Sequence, residues 1–424
     1  MSKLEKLIQQ YCPDGVEWKT FAEVFETITD YTAAGSFKNI ADNVQYLKVP
    51  DYAMLIRTTD LKSNFTKGGF IYVSQSAFNY LWRVNMDKEC IVMPNVGNCG
   101  EIYYVQPQDL PYEHCALAPN AILARSDTHN NRYLSYCLQV EDFQRQLNKI
   151  TSPVGQSKFN KTELKKLVIP VPPLPVQEEI VRILDTFTEL QAELQAELQK
   201  RKQQYNFYRD NLLNFKDINR GGQEIKWMKL KDVATQWYRG AGIKREEVGN
   251  EGMPCIRYGE IHTSYNIWFK DCISHTDETK QATKKYAEYG DILFAITSED
   301  IPLVGNSVAY LGKEKIMVGG DIVVMKHNQD PRYMAYALST SDAIKQKGKG
   351  KVKSKVVHTN VPSLQEIVIP IPQMEEQQRI ADILDRFDTL TNDLTAGLPA
   401  EMEKRRQQYE FYRDKLLTFK RKEA

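Results

Sequence analysis

Apolar residues recur at three- and four-residue spacing along two long stretches of the chain. In the first, Ile180, Ile183, Phe187, Leu190 and Leu194 share a helical face, and Leu198, Tyr205, Tyr208, Leu212 and Phe215 continue it in a frame shifted by four residues. In the second, Ile380, Ile383, Phe387, Leu390 and Leu394 are followed by Met402, Tyr409, Tyr412, Leu416 and Phe419. The period is that of a heptad seam. A four-residue shift is a stutter, which unwinds a supercoil locally and keeps the seam continuous. A Pro-rich strip precedes each stretch (Pro170, Pro172, Pro173, Pro175; Pro370, Pro372) and forbids helix before about Val176 and Met374. Ala396-Gly397-Leu398-Pro399 adds four residues to the second stretch. Gly past a helix end and Pro in a first turn predict a break there. About 40 helical residues make a rod of roughly 60 Å. The simplest expectation is two rods paired antiparallel. The alternative is that each helix packs only on its own globular domain.

The remaining sequence is mixed. Glu101 to Val105 and Ile322 to Met325 read as strands, with turns at Gly68-Gly69 and Asn98 to Gly100, and Ser298-Glu299-Asp300 as a loop. The pattern divides the chain into four segments: 1–165 globular, 166–217 Pro-rich strip and helix, 218–365 globular, and 366–424 strip and helix, broken near Gly397-Pro399. It also repeats. KRKQQYNFYRD (200–210) recurs as KRRQQYEFYRD (404–414), with nine of eleven residues identical. A repeat of this length means two copies of a domain plus connector. The globular segments correspond more weakly: Trp18 with Trp227, Arg57 with Arg257, Asn160 with Asn360. The expected fold is α+β: two mixed α/β domains in a pseudo-two-fold arrangement, separated by two long helices forming an antiparallel coiled coil. Helices that stayed alike do a common job. Globular parts that drifted apart read different things.

Composition narrows the function. Hydrophobic content of 42% and charged content of 26% are ordinary, and no run of 18 apolar residues exists, so no membrane is involved. The start, MSKLEKLIQQ, is too polar for a signal peptide. Seven scattered cysteines without a CxxC pair read as reduced thiols of a cytoplasmic protein. A net charge of +1 means that any basic surface is local. Catalytic signals are missing. The Pro-Pro pair at Pro172-Pro173 lacks the Asn/Asp and aromatic neighbours of an amino-methyltransferase motif, there is no GxxxxGK[ST] phosphate loop, and the histidines show no metal spacing. His114 beside Cys115 reads as a packed or surface pair. No catalytic residue and no metal site are assigned.

The strings VIPVPPLPVQEEIVRILDTF and VIPIPQMEEQQRIADILDRF, each followed by QQYxFYRDxLLxF, and the opening LIQQYCPDGVEW resemble the specificity subunit of type I restriction–modification systems. The resemblance covers essentially the whole chain. It implies a non-catalytic, sequence-specific DNA-binding subunit. Segments 1–165 and 218–365 would be target-recognition domains, each reading one half of a bipartite, asymmetric site in double-stranded DNA. The helices would be the spacer and the docking surface for two methyltransferase (modification) subunits, with restriction and motor subunits joining that core. S-adenosylmethionine, ATP and Mg would belong to the partners, and this chain would bind no cofactor.

Within that frame, Gly348 to Lys355 (GKGKVKSK) is expected to be a loop whose Lys349, Lys351, Lys353 and Lys355 neutralise phosphates. Its counterpart, Lys149 to Lys158, offers Gln156, Ser157 and Lys158. Arg57 with Thr58 and Thr59, and Arg257, are candidates for base edges, since Arg bridges guanine O6 and N7. A structural ion pair is the equal alternative for each Arg. Arg239, Lys244 and Arg245 form a second basic, flexible site, paralleled in part by Lys38, and Asn95 in MPNVGNCG is a further candidate. Gln203, Gln204, Tyr205, Gln407, Gln408 and Tyr409 are assigned to partner subunits. Leu4, Leu7, Ile8 and Tyr11 precede Trp18 roughly as Leu212, Leu213 and Phe215 precede Trp227, so the N-terminal helix is expected to dock near the end of the second rod. Two rival readings remain: a coiled-coil interaction scaffold with peptide-binding domains, and a stand-alone nuclease or methyltransferase.

Overall fold

The computed structural model describes residues 2–152, 157–215, 225–299, 303–348, 351–353, 356–392 and 397–422. It divides into two units, Met1–Ala192 with Lys404–Ala424, and Glu193–Glu403. Each unit is α+β. Each combines one globular domain with the start of one helical stretch and the end of the other.

In the first unit a four-stranded antiparallel sheet runs in the order Thr27–Asp30, Ala121–Arg125, Cys90–Pro94, Tyr103–Val105. Both of its faces are covered, so its central strands are continuously apolar. Side chains alternate between the faces: Ile91 and Met93 join the core beneath the helices, while Cys90 and Val92 join the core against a three-stranded sheet. That second sheet holds Ala53–Ile56 between Ile71–Val73 and Cys115–Leu117. In the second unit the same alternation recurs. Ile292 and Phe294 face the helices, and Leu293 and Ala295 face the other way, within a five-stranded sheet. The strand expected at Glu101 to Val105 is shorter, Tyr103–Val105; that at Ile322 extends to His327.

A polar frame ties each domain to its helix, and it recurs 200 residues later. Tyr133 donates to the Pro170 carbonyl at 3.1 Å, and Tyr333 to that of Pro370 at 2.8 Å. The Gln146 amide brackets the backbone of Val168, and Gln346 that of Val368. Arg132 pairs with Asp185 at 2.9 Å, and Arg332 with Asp385 at 2.7 Å. Gln177 and Gln377, both buried, each receive a backbone N–H and donate to a proline carbonyl of the strip (Pro172, Pro372), which secures the helix start. Asn160 and Asn360 both cap short helices.

The first rod is one helix, Leu174–Leu213, of 40 residues. The second is Met374–Asn392 followed by Gly397–Leu416. Gly397 has φ +70°, a conformation that suits glycine, so the chain breaks where the Gly-Pro insertion predicts. The seam differs from the heptad expectation. Val176, Ile180 and Leu184 are buried at four-residue spacing, because these turns pack on the unit's own globular core. Leu190 and Leu390, expected in the seam, are 43% and 57% exposed. Helix-to-helix contact occurs further along. In the first unit Phe187 stacks on Tyr412 at 5.5 Å; in the second Tyr208 stacks on Phe387 at 5.8 Å.

The N-terminal helix, Lys3–Tyr11, docks as the repeat suggests. Leu4 shares a core with Leu417, and Lys3 pairs with the buried Glu179 at 2.7 Å. Val16 exchanges backbone hydrogen bonds with Lys420 and Lys422 at 2.8 and 3.0 Å. Gly15 (φ +112°) permits this approach, since a Cβ there would lie 2.7 Å from the Lys420 carbonyl oxygen.

Candidate nucleic-acid interface

In the first domain the backbone gathers several expected residues at one edge. Gly97 donates to the Ser157 carbonyl at 2.8 Å, Ser152 to that of Lys158 at 2.9 Å, and Phe159 to that of Asn95 at 3.1 Å. Val96 bridges Lys158. Asn95, Ser157 and the exposed Lys158 therefore sit together. Gln156 lies outside the described residues.

The second domain has the same edge with different side chains. Thr297–Ser298 pairs with Val356–His358, which pairs with Lys351–Lys353. The lysine–glycine segment is thus strand where it is described, a correction to the expected loop, because its backbone finds a ladder partner. Lys349 and Lys355 lie outside the described residues, as does Asp300. Ser298, expected in a loop, is a buried strand residue beside Thr297. The Thr297 hydroxyl lies 3.2 Å from His358 Nδ1, and the Thr297 carbonyl 3.0 Å from His262 Nε2. This Thr–His cluster was missed; no short motif marks it, since its members are 35 and 61 residues apart.

Lys347 lies just before this sheet. It is buried, donates to the Ser307 hydroxyl at 2.9 Å and sits over the Phe294 ring. Burial pushes its ammonium pKa down to about 7. The unfolded chain therefore takes up this proton at higher pH than the folded chain does. Stability is expected to rise as pH climbs from about 7 towards the ordinary lysine range, and to carry the full penalty below it. Lys347→Met should remove that rise; urea midpoints at pH 7 and pH 9 for both proteins would show it.

The arginines separate. Arg57 forms a bidentate pair with Asp60, Nε at 2.9 Å and Nη2 at 2.6 Å. Asp60 is 3% exposed. Asp60 also accepts from the Arg57 backbone N–H at 3.0 Å, and the Arg57 side chain is one-third exposed, so the ion-pair alternative describes how Arg57 sits in the structure. Arg257 caps the equivalent helix through its backbone N–H to Glu260 at 3.2 Å, and its guanidinium has no ion pair among the described residues. Thr58 and Thr59 occupy the first turn of Thr58–Lys62, with Thr59 exposed. Arg239 reaches the Gly320 carbonyl and Asp321 (2.7 Å) on the surface, an exposed pair of about 0–1 kcal/mol that a phosphate can replace. Its segment is held by backbone hydrogen bonds: Gly240 and Ala241 donate to Ile322 and Val318, both at 2.9 Å. Lys38, Lys244 and Arg245 are exposed.

On the helices Gln203, Gln204, Gln407 and Gln408 are exposed. Tyr205 and Tyr409 are not; they are buried in the two cores, at 5% and 9% exposure, which corrects their assignment to a partner surface. The aromatics of these strings most exposed to water are Phe207 and Phe411, at 63% and 61%, ahead of Tyr208 at 41%. The signal for them was a phenylalanine repeated off the apolar stripe.

The family model for the type I restriction modification DNA specificity domain matches residues 13–201 and 223–404. The chain belongs to this family. One such domain lies in each half of the chain. The type I restriction enzyme EcoR124I/EcoR124II specificity subunit of Escherichia coli is 34% identical over 268 residues, 61% of this chain and 65% of its own length, just under two thirds. A putative specificity subunit of Haemophilus influenzae is 31% identical over 68% of this chain and 72% of its own. The EcoprrI specificity subunit of Escherichia coli is 27% identical over 93% and 92%. A solved chain from work on complex assembly and conformational transition of the type I R-M system matches the fold, with a TM-score of 0.60 at 14% identity, over 96% of this specificity subunit and 98% of its own length. Among the described residues no helix is long and apolar enough to cross a membrane.

Proposed function

We propose that this specificity subunit reads a bipartite, asymmetric site in double-stranded DNA and brings type I methyltransferase and restriction subunits to it. The observation that carries the proposal is the polar frame repeated 200 residues apart beneath edges of different chemistry: Asn95, Ser157 and Lys158 in one domain, Thr297, His358 and a lysine strand in the other. One scaffold with two dissimilar readers suits a target with two dissimilar halves. Phosphate contacts from Lys38, Lys158, Lys244 and Arg245 position the duplex, and base contacts specify it. The two rods act as an antiparallel coiled-coil spacer, supported by the Phe187–Tyr412 and Tyr208–Phe387 stacks. Two methyltransferase subunits bind the repeated helix faces. S-adenosylmethionine, ATP and Mg chemistry resides in the partners, and the complex works in the cytoplasm.

The test is gap length. One helical turn is about 5.4 Å, against about 3.4 Å per base pair. Removing one turn from the middle of each rod should shorten the preferred gap between half-sites by about one to two base pairs. An unchanged gap in a folded variant rules out the spacer. A protein-interaction scaffold would show no salt-dependent DNA binding at all.

A further inference from the structure

A cavity of about 450 Å³ opens in the first unit, walled by Phe37, Ile40, Val44, Tyr46, Asn95 and Asn120. Its rim is aromatic and wet: Phe37 is 81% exposed and Tyr46 51%. Neither end of the Asn95 carboxamide has a hydrogen-bond partner among the described residues, and its Oδ1 is shielded from water. Leaving such a group unpaired is unfavourable, by a factor of about ten or more in the folding equilibrium.

The fold does not require an amide at this place. The Asn95 backbone N–H donates to the Asn120 carbonyl at 3.2 Å, and its carbonyl accepts from Phe159 at 3.1 Å. The second unit makes the same two bonds at Ile296, to Asp321 at 3.0 Å and from Thr359 at 3.0 Å. Ile296 is simply packed in the core, 6% exposed. One copy therefore fills the position with an apolar side chain, and the other keeps an unpaired amide in a cavity wall. The surroundings suit a polyanion. Lys38, next to Phe37, and Lys158, bridged to Val96 beside Asn95, are exposed and have no ion pair among the described residues. The acidic residue of the cavity, Asp30, is neutralised by Lys161 at 2.9 Å.

We propose that Asn95 is a base-reading residue of the first domain and that it recognises adenine. A carboxamide offers an acceptor and a donor side by side, the pattern that meets adenine N6 and N7, and Phe37 and Tyr46 supply apolar contact to the base. The proposal rests on the DNA-reading function above. It also accounts for the asymmetry of the target, since Ile296 has no such pattern to offer.

The experiment selects bound sequences from DNA randomised in both half-sites, using the full chain, Asn95→Leu, Asn95→Asp and the rim variant Phe37→Ala. Asn95→Leu should lower the preference for adenine at one position of the first half-site by about 10- to 100-fold, with the second half-site unchanged. Asn95→Asp should shift that position towards cytosine, whose N4 amine suits a lone acceptor. Phe37→Ala, on the surface, should weaken selection of the first half-site only. An unaltered first half-site in variants that still bind overturns the proposal, as does a position whose preference moves but was never adenine. No sequence selection by the unmodified chain would instead sink the DNA-reading function itself.

Discussion

Phe207→Glu and Phe411→Glu together are expected to abolish assembly with methyltransferase subunits, lowering affinity at least a hundredfold. Each phenylalanine stands in the string shared by both helices, QQYxFYRD. Each is more than three-fifths exposed, at 63% and 61%. Its neighbour is occupied inwards: Tyr208 stacks on Phe387 and Tyr412 on Phe187. Each phenylalanine meets the edge of that neighbouring tyrosine ring, at 5.7 and 5.4 Å, and the Lys415 ammonium lies over Phe411 at 5.9 Å. An exposed aromatic repeated on two otherwise polar faces has the character of an interface anchor, a class whose removal costs about 2–4 kcal/mol. A carboxylate in its place adds the desolvation of a charge. Because the two residues mark two copies of one surface, either single variant should retain one methyltransferase subunit per chain and the double variant none. Light scattering of the reconstituted mixture counts them. Two bound subunits in the double variant would show that docking lies elsewhere.

Asp385→Ala should destabilise the second unit by about 4 kcal/mol, and Asp185→Ala the first by about 2–3 kcal/mol. The two carboxylates are equivalents in the repeated frame, yet they serve different numbers of donors. Asp385 accepts from Arg332 at 2.7 Å, the Tyr336 hydroxyl at 2.6 Å and the Trp268 indole at 2.9 Å. Among the described residues Asp185 accepts from Arg132 and the Tyr136 hydroxyl alone. Removing Asp385 breaks three hydrogen bonds and removing Asp185 two; Arg332 keeps Asp382 at 2.7 Å, but the Tyr336 hydroxyl and the Trp268 indole lose their acceptor, and Asp385 is the less exposed, at 20% against 34%. Urea unfolding of both variants gives the comparison. An Asp385→Ala shift no larger than that of Asp185→Ala would refute the donor count as the cause.

The Pro-rich strips, the helix starts, the break at Gly397 and the correspondence of Asn160 with Asn360 were legible in the sequence. Each depends on residues within a turn or two of itself, so short-range geometry decides it. The docking of the N-terminal helix was also legible, because the repeat supplied a covalent example of the same join between the first rod and Trp227. The heptad assignment failed at Leu190 and Leu390. A stripe says that a face is apolar and leaves open what covers it, and the first turns of each rod are covered by a globular core.

Site residues were less legible, and particular pairs show why. Tyr205 and Phe207 are two positions apart in one string; one is buried and the other faces water, according to which helix face meets a neighbour. Arg57 and Arg257 follow equivalent strands, yet only Arg57 is tied by its side chain to a buried carboxylate. Asn95 and Ile296 share a backbone setting and differ in what their side chains meet. From the sequence alone came the duplication, the α+β domains, the long helices and the family, all of which rest on local pattern and internal likeness. Tertiary structure alone decided which polar groups are paired and which stand free, because partners such as Glu89 and Asn131, or Trp268 and Asp385, are brought together from 42 and 117 residues apart. Pairing across such distances leaves no periodic trace in a sequence.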